Sequence, residues 1–236
     1  MRIDTRVKEL KYRLENVKNR IRKSAIDCRR DPQSIRLVAV SKTMSAKKVK
    51  EAIAAGVEIL GENYIQEARE KIDRLSSYPI SWHFIGHLQT NKAKYAVRLF
   101  DLIHSVDSLK LAVELNKQAK KIGKVQQILI QVNVGQEASK SGISTKETFD
   151  MVKNIGHLEN LCLRGLMTIP PFYNAPQKVR PYFALLCDLG DRIKAAIRTR
   201  VPVNELSMGM TNDFEVAIEE GATLLRIGTA IFGERN

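Results

Sequence analysis

The chain has 236 residues, 44% of them hydrophobic and 28% charged, and its 39 Lys and Arg against 26 Asp and Glu give a formal charge of +13. That composition belongs to a folded globular protein, and no run of eighteen apolar residues exists to span a membrane. The polar, charged opening suggests no secretory leader, and three widely separated cysteines (Cys28, Cys162 and Cys187) suggest neither a disulfide framework nor a zinc site, so a cytoplasmic location is expected.

Residues 1–30 hold eleven Lys and Arg against four acids, more than half of the excess positive charge. Ile3, Val7, Leu10, Leu14, Val17, Ile21 and Ala25 recur at spacings of three and four, which predicts an amphipathic helix with one apolar stripe. Asp31-Pro32 should end it, because the residue before a proline disfavours helical geometry. The stripe favours a helix packed on the rest of the protein with its basic face in water. A helix for RNA or anionic lipid is the alternative, but aromatic residues that would stack bases do not alternate with the basic ones, so neither nucleic acid nor membrane is an expected partner.

Beyond it, short β-branched runs predict strands at Leu37–Ser41, Val57–Leu60, Trp82–Ile85, Leu102–Val106, Gln127–Asn133, Cys162–Met167, Asn204–Met208 and Thr223–Ile227. Helical patterns lie between them, among them Ala46–Ala55, Ile65–Leu75, Leu109–Lys121, Thr145–Ile155, Gln177–Arg198 and Phe214–Glu220. Eight such units in roughly 200 residues predict an α/β fold, a closed (β/α)₈ barrel of the TIM type. An open doubly wound sheet is the alternative, weakened because no G-x-G-x-x-G follows a strand. No linker divides the chain, so residues 1–236 read as one barrel domain with its opening helix packed against it.

In such a barrel, function gathers at the carboxyl ends of the strands. Of the 21 lysines, Lys42 alone directly follows a strongly apolar strand, Leu-Val-Ala-Val-Ser. Partial desolvation there would free its amine as a nucleophile for a carbonyl, although an exposed loop lysine fits the spacing equally well. Ser207-Met208-Gly209-Met210 ends the seventh strand, before a helix opening at Thr211-Asn212-Asp213, and Arg226-Ile227-Gly228-Thr229 ends the eighth. Those two loops commonly hold a phosphate in this fold: Gly209 and Gly228 allow close backbone approach, and Ser207 and Thr229 can add hydroxyl donors. A lysine after strand one combined with a phosphate cup after strands seven and eight describes a site for an aldehyde carrying a phosphate, pyridoxal 5'-phosphate (PLP).

Several segments resemble the PLP homeostasis proteins, a family related to the barrel domain of alanine racemase. They are Ala39-Val-Ser-Lys-Thr43, Gly61-Glu-Asn-Tyr64, His83-Phe-Ile-Gly86, Leu88-Gln-Thr-Asn-Lys92, Ser139-Lys-Ser-Gly142, Arg164-Gly-Leu-Met167, Leu206-Ser-Met-Gly-Met210 and Arg226-Ile-Gly-Thr-Ala-Ile-Phe-Gly233. The resemblance runs in order from about residue 35 to residue 234. It implies that PLP is held as an aldimine on Lys42, that Ser207, Gly228 and Thr229 bind its phosphate with Met208 and Gly209 lining the same cup, and that Asn63 lies near the ring. It also implies that Arg226 faces the pyridine nitrogen. A guanidinium cannot give that nitrogen a proton, so the ring would be a weaker electron sink than one paired with a carboxylate. The expected role is PLP buffering or delivery, by a monomer whose partners are PLP and PLP-dependent apoenzymes.

A PLP-dependent amino-acid racemase is the alternative. It needs an acid/base group on each face of the substrate carbon. Lys42 could serve one face; Tyr64, the one tyrosine in a strand-end motif, reads as a packing residue, and the chain ends at Asn236 without the second domain that supplies a racemase's tyrosine. His83 and His87 have the i, i+4 spacing of a zinc pair but lack the glutamate of H-E-x-x-H and start on a strand, so metal is not expected. His104 and His157 have no nearby partner in sequence, and Gly-x-Ser-x-Gly is absent. Lys140, in the loop after strand five, reads either as an exposed lysine or as a charge that draws phosphate to the mouth.

Overall fold

A computed structural model describes residues 2–137, 140–197 and 203–234. Ser139 and Arg198, parts of a motif and of a helix expected above, lie outside the described residues. Helix α1 (Arg2–Asp27) is followed by eight strands: β1 (Arg36–Val40), β2 (Ile59–Glu62), β3 (Ser81–Phe84), β4 (Leu102–Val106), β5 (Gln126–Gln131), β6 (Leu161–Met167), β7 (Glu205–Ser207) and β8 (Leu224–Ile227). All pair in parallel with their sequence neighbours, and β8 pairs with β1, closing the barrel. The helices between them are α2 (Ala46–Ala54), α3 (Ile65–Arg74), α4 (Ala93–Leu99), α5 (Leu109–Lys121), α6 (Thr148–Gly156), α7 (Arg180–Ala196) and α8 (Phe214–Glu219), with a last turn, α9 (Thr229–Phe232), after β8.

Local chemistry sets many of these boundaries. Ser45 and Ser108 cap α2 and α5, each hydroxyl accepting from a backbone N–H three residues on. Pro181 suits the first turn of α7, where its missing N–H costs nothing. The sequence places β2 two residues early: Gly56 turns the chain at φ +101°, and the strand starts only at Ile59, opposite Ser81. Likewise α8 begins at Phe214, with residues 211–213 forming a turn before it. Helix α1 stops at Asp27, short of Asp31-Pro32. Arg29 takes the left-handed conformation (φ +59°) and the Arg30 N–H reaches back to the Ala25 carbonyl at 2.8 Å, a closing turn that glycine usually makes.

The core has two parts. The larger lies between the strands and the surrounding helices, and α1 joins it through buried Leu10, Leu14, Val17, Ile21 and Ala25. Its basic face is outward except where it meets α8: Arg20 bonds Glu215 and lies 4.5 Å over the Phe214 ring. One aromatic, Tyr12, does stand on that outer face, 68% exposed. The smaller part is the barrel interior, a layer of Val38, Leu102, Leu129, Met167 and Leu224. Strand alternation then brings His104 and Arg226, two residues beyond Leu102 and Leu224, one layer nearer the mouth.

Candidate functional site

Closure of the ring sets β7, β8, β1 and β2 side by side, so the segments singled out at the two ends of the chain meet at one mouth. Ala39 is in register with Ile227, and a Cβ on Gly228 would lie 3.4 Å from that of Val40. Strand β1 ends at Val40 rather than Ser41, although the Ser41 N–H still bonds the Gly61 carbonyl at 2.9 Å. Lys42 is therefore two residues past the strand and half-buried, while Gly228 is half-buried and Thr229 exposed at the end of the neighbouring β8.

Ser207 is the last residue of β7 and fully buried. Its Oγ accepts from Arg226 Nη1 at 2.6 Å and lies 2.8 Å from His104 Nδ1. Arg226 also donates to the backbone carbonyls of Ser207 (2.7 Å) and Thr168 (2.8 Å), and His104 Nε2 is 3.0 Å from His83 Nδ1. A polar chain Arg226–Ser207–His104–His83 thus runs down inside the barrel. Burial pulls the Arg226 guanidinium down to about 10, which leaves it charged at neutral pH. Burial, and then the charge of Arg36, pulls His83 down to about 4; burial holds His104 well below the usual histidine range. Both rings are therefore neutral at pH 7. This chain was missed in sequence because its members are far apart along it; the available signal was a histidine at the third position of both β3 and β4.

Met208 differs from expectation: its side chain is fully buried in the core outside the sheet and its N–H bonds Leu224 O, so only its remaining backbone can face the mouth. Gly209 sits at φ +91°, and a Cβ there would lie 2.6 Å from that of Ala217, so glycine alone lets β7 pass so close to α8. Asp213 Oδ1 accepts the Met210 N–H at 2.6 Å and ties this loop; burial pushes its carboxyl up. Asn63, after β2, is half-buried, and its Oδ1 is buried without a hydrogen-bond partner. It lines a cleft of about 270 Å³ with Ile85, Gly86, Gln131, Lys140 and Ile169. Lys140 pairs with Glu137 there at 2.7 Å. The two histidines of the zinc-like spacing part company: His83 is inside the barrel, whereas His87 is exposed, 3.3 Å from Asp107.

Behind the wall that carries Lys42, sequence reasoning also missed an ionic cluster. Ser41, Glu62 and Lys71 are all buried; Lys71 Nζ lies 2.7 Å from Glu62 Oε1, and Ser41 Oγ donates to the same oxygen at 2.5 Å. Burial raises the Glu62 carboxyl, opposed by the bonds from Lys71 and Ser41.

This parallel eight-stranded barrel matches the family model of the alanine racemase N-terminal domain over residues 12–236. A pyridoxal phosphate homeostasis protein of Aquifex aeolicus (strain VF5) is 44% identical over 223 residues, 94% of this chain and 97% of its own. Its counterpart in Escherichia coli (strain K12) is 41% identical over 234 residues, 97% of each chain. Within the racemase-type barrels, the chain belongs to this family of pyridoxal phosphate homeostasis proteins. Among solved structures, PipY of Synechococcus elongatus PCC7942 with PLP bound superposes with a TM-score of 0.84 at 33% identity, over 95% of this chain and all of that one. An alanine racemase of Clostridium difficile 630 shares the fold alone: TM-score 0.70, 16% identity, 97% of this chain but 57% of the racemase.

Proposed function

We propose that the chain binds pyridoxal 5'-phosphate at the barrel mouth, carries it as a reversible Schiff base on Lys42, and buffers or delivers the cofactor without turning over amino acids. The observation that carries this reading is the meeting of Lys42 with the glycine-bearing ends of β7 and β8 on adjacent strands of one closed ring. The residues present fit the group. Asn63 Oδ1 is a buried acceptor that lacks a donor, Gly228 is only half-buried, and Thr229 carries an exposed hydroxyl. PLP supplies an aldehyde. The Lys42 amine would be the group that condenses reversibly with it. Ser207, Gly209, Gly228 and Thr229 would hold the phosphate, while Arg226 keeps a fixed positive charge near the ring. Relatives named for PLP homeostasis and the PLP-bound PipY support the same reading. We further place the protein in the cytoplasm as a monomer that serves PLP-dependent apoenzymes; three free cysteines accord with a reducing compartment.

The racemase fold of the neighbours raises a second reading, amino-acid racemisation. It needs an acid/base group opposite Lys42, and Tyr64 is a poor one: it precedes α3 and is 54% exposed. One experiment tests both readings. Protein incubated with PLP is reduced with borohydride and its peptides mapped, while a parallel sample is incubated with L-alanine and L-serine for chiral analysis. We expect one pyridoxyl group on Lys42, lost in Lys42→Ala, and no sustained racemisation. Labelling spread over the exposed lysines would refute the site, and turnover lost in Lys42→Ala would refute the non-enzymatic role.

A further inference from the structure

Lys42 is gripped from outside the barrel. Strand β1 ends at Val40; Ser41 sends its side chain to the outer side of the wall, where Glu62 of β2 also lies, and Lys42 and Thr43 form the turn that follows, closed by the Met44 N–H on the Ser41 carbonyl at 3.0 Å. There α3 supplies two side chains one helical turn apart. Lys71 Nζ donates to the carbonyl oxygen of Ser41 at 2.7 Å, and Glu67 Oε2 accepts the N–H of Thr43 at 2.9 Å. These belong to the two peptide groups that bracket Lys42. Lys71 also bridges the two carboxylates, 2.7 Å from Glu62 and 3.5 Å from Glu67. Thr43, a β-branched residue, is held at φ +65°, a left-handed conformation that persists only where the surroundings impose it. A buried ion pair is not needed to fill that space, since apolar side chains would pack it at least as stably. Holding both neighbouring peptides of one lysine is something apolar side chains cannot do.

We propose that Glu67 and Lys71, with buried Glu62 as counter-charge, are positioning residues for Lys42. They fix the peptide groups on either side of it, set the direction in which its amine enters the mouth, and so govern how fast that amine condenses with an aldehyde. This deepens the proposed function and rests on Lys42 being the reacting amine; the three residues lie behind the wall and act only through it.

The test uses the full chain with Glu67→Ala, with Glu67→Gln, and with the paired change Glu62→Gln/Lys71→Met, which removes both buried charges together. Glu67 is 38% exposed, so its truncation leaves the fold intact. Condensation of PLP with Lys42 is followed across a pH series. Separately, Lys42 methylation by formaldehyde with cyanoborohydride is mapped by mass, a probe that needs no PLP site. Glu67→Ala and the paired change should slow both reactions at Lys42 roughly tenfold, the scale of a modest misplacement of a reacting group, with other lysines unaffected. Glu67→Gln, whose amide oxygen can accept the same N–H, should return both rates to within about twofold. A lowered melting temperature with both rates unchanged would reduce the cluster to a structural one. Slowing that glutamine fails to rescue would also overturn the clamp, because charge alone would then be acting. If PLP leaves Lys42 unlabelled in the unaltered protein, the proposed function falls, and the formaldehyde rates still decide the clamp.

Discussion

At pH 7 the rings of His83 and His104 carry no charge, since burial outweighs every other influence on them. An unfolded histidine titrates near 6.5 and His83 in the barrel near 4. Between those values the unfolded chain holds a proton that the folded chain refuses, so stability is full above pH 6.5, falls as pH drops towards 4, and levels off below. For His83 the whole span is on the order of 3 kcal/mol, with about 2 kcal/mol gone by pH 5. Urea unfolding at pH 7 and pH 5 should show at least that loss, and His83→Gln should remove the His83 share while that of buried His104 remains. Lys42, Gly209 and Gly228 could be read from sequence because each follows an apolar run, at the strand ends where this fold puts its chemistry. Glu62, Lys71 and His104 could not, because their partners are set by which helix or strand comes to lie beside them.

The elements obey packing constraints that periodicity does not contain. Val57-Glu58-Ile59-Leu60 suits a strand in either frame, and only pairing with Ser81 starts β2 at Ile59. Helix α4 was not among the expected helices: it is seven residues long and is held by burial of Ala93, Ala96 and Val97. In β6, Gly165 stands opposite Glu205, and a Cβ there would lie 1.9 Å from the Glu205 carbonyl oxygen. Gly165→Ala must therefore push β6 from β7, at a cost of about 3 kcal/mol or more. Gly156 ends α6 with nothing within 4 Å of such a Cβ, so Gly156→Ala should be neutral or stabilise by up to about 1 kcal/mol. Parallel denaturation curves would separate them, and equal effects would contradict the β6–β7 spacing.

For the molecule as a whole, the barrel reading survives intact because alternation of strand and helix is a property of the entire chain, whereas each boundary depends on a few local residues. The +13 charge is likewise a property of the whole. Much of it lies on α1, whose apolar stripe is buried and whose Arg20 is bonded to Glu215 of α8, while Arg30, just beyond the helix, is bonded to the Ile218 carbonyl. The opening helix is thus a structural strut of the barrel, and its remaining basic side chains form a solvated surface.

Helix α1 also meets the last described residues. Arg6, Glu9 and Arg13 share a cleft of about 670 Å³ with Phe232, Gly233 and Glu234, and Arg13 Nη1 would lie 2.4 Å from a Cβ on Gly233. Beginning and end of this fold are neighbours, so the order in which its strands are synthesised is separable from the ring they form. Joining residue 234 to α1 by a short flexible linker, and opening the chain at Gly123 in the exposed turn before β5, gives a circular permutant in which the Lys42 strand and the Arg226 strand become sequential. In that rearranged chain the two halves of the mouth would no longer have to find each other from opposite ends of the polypeptide.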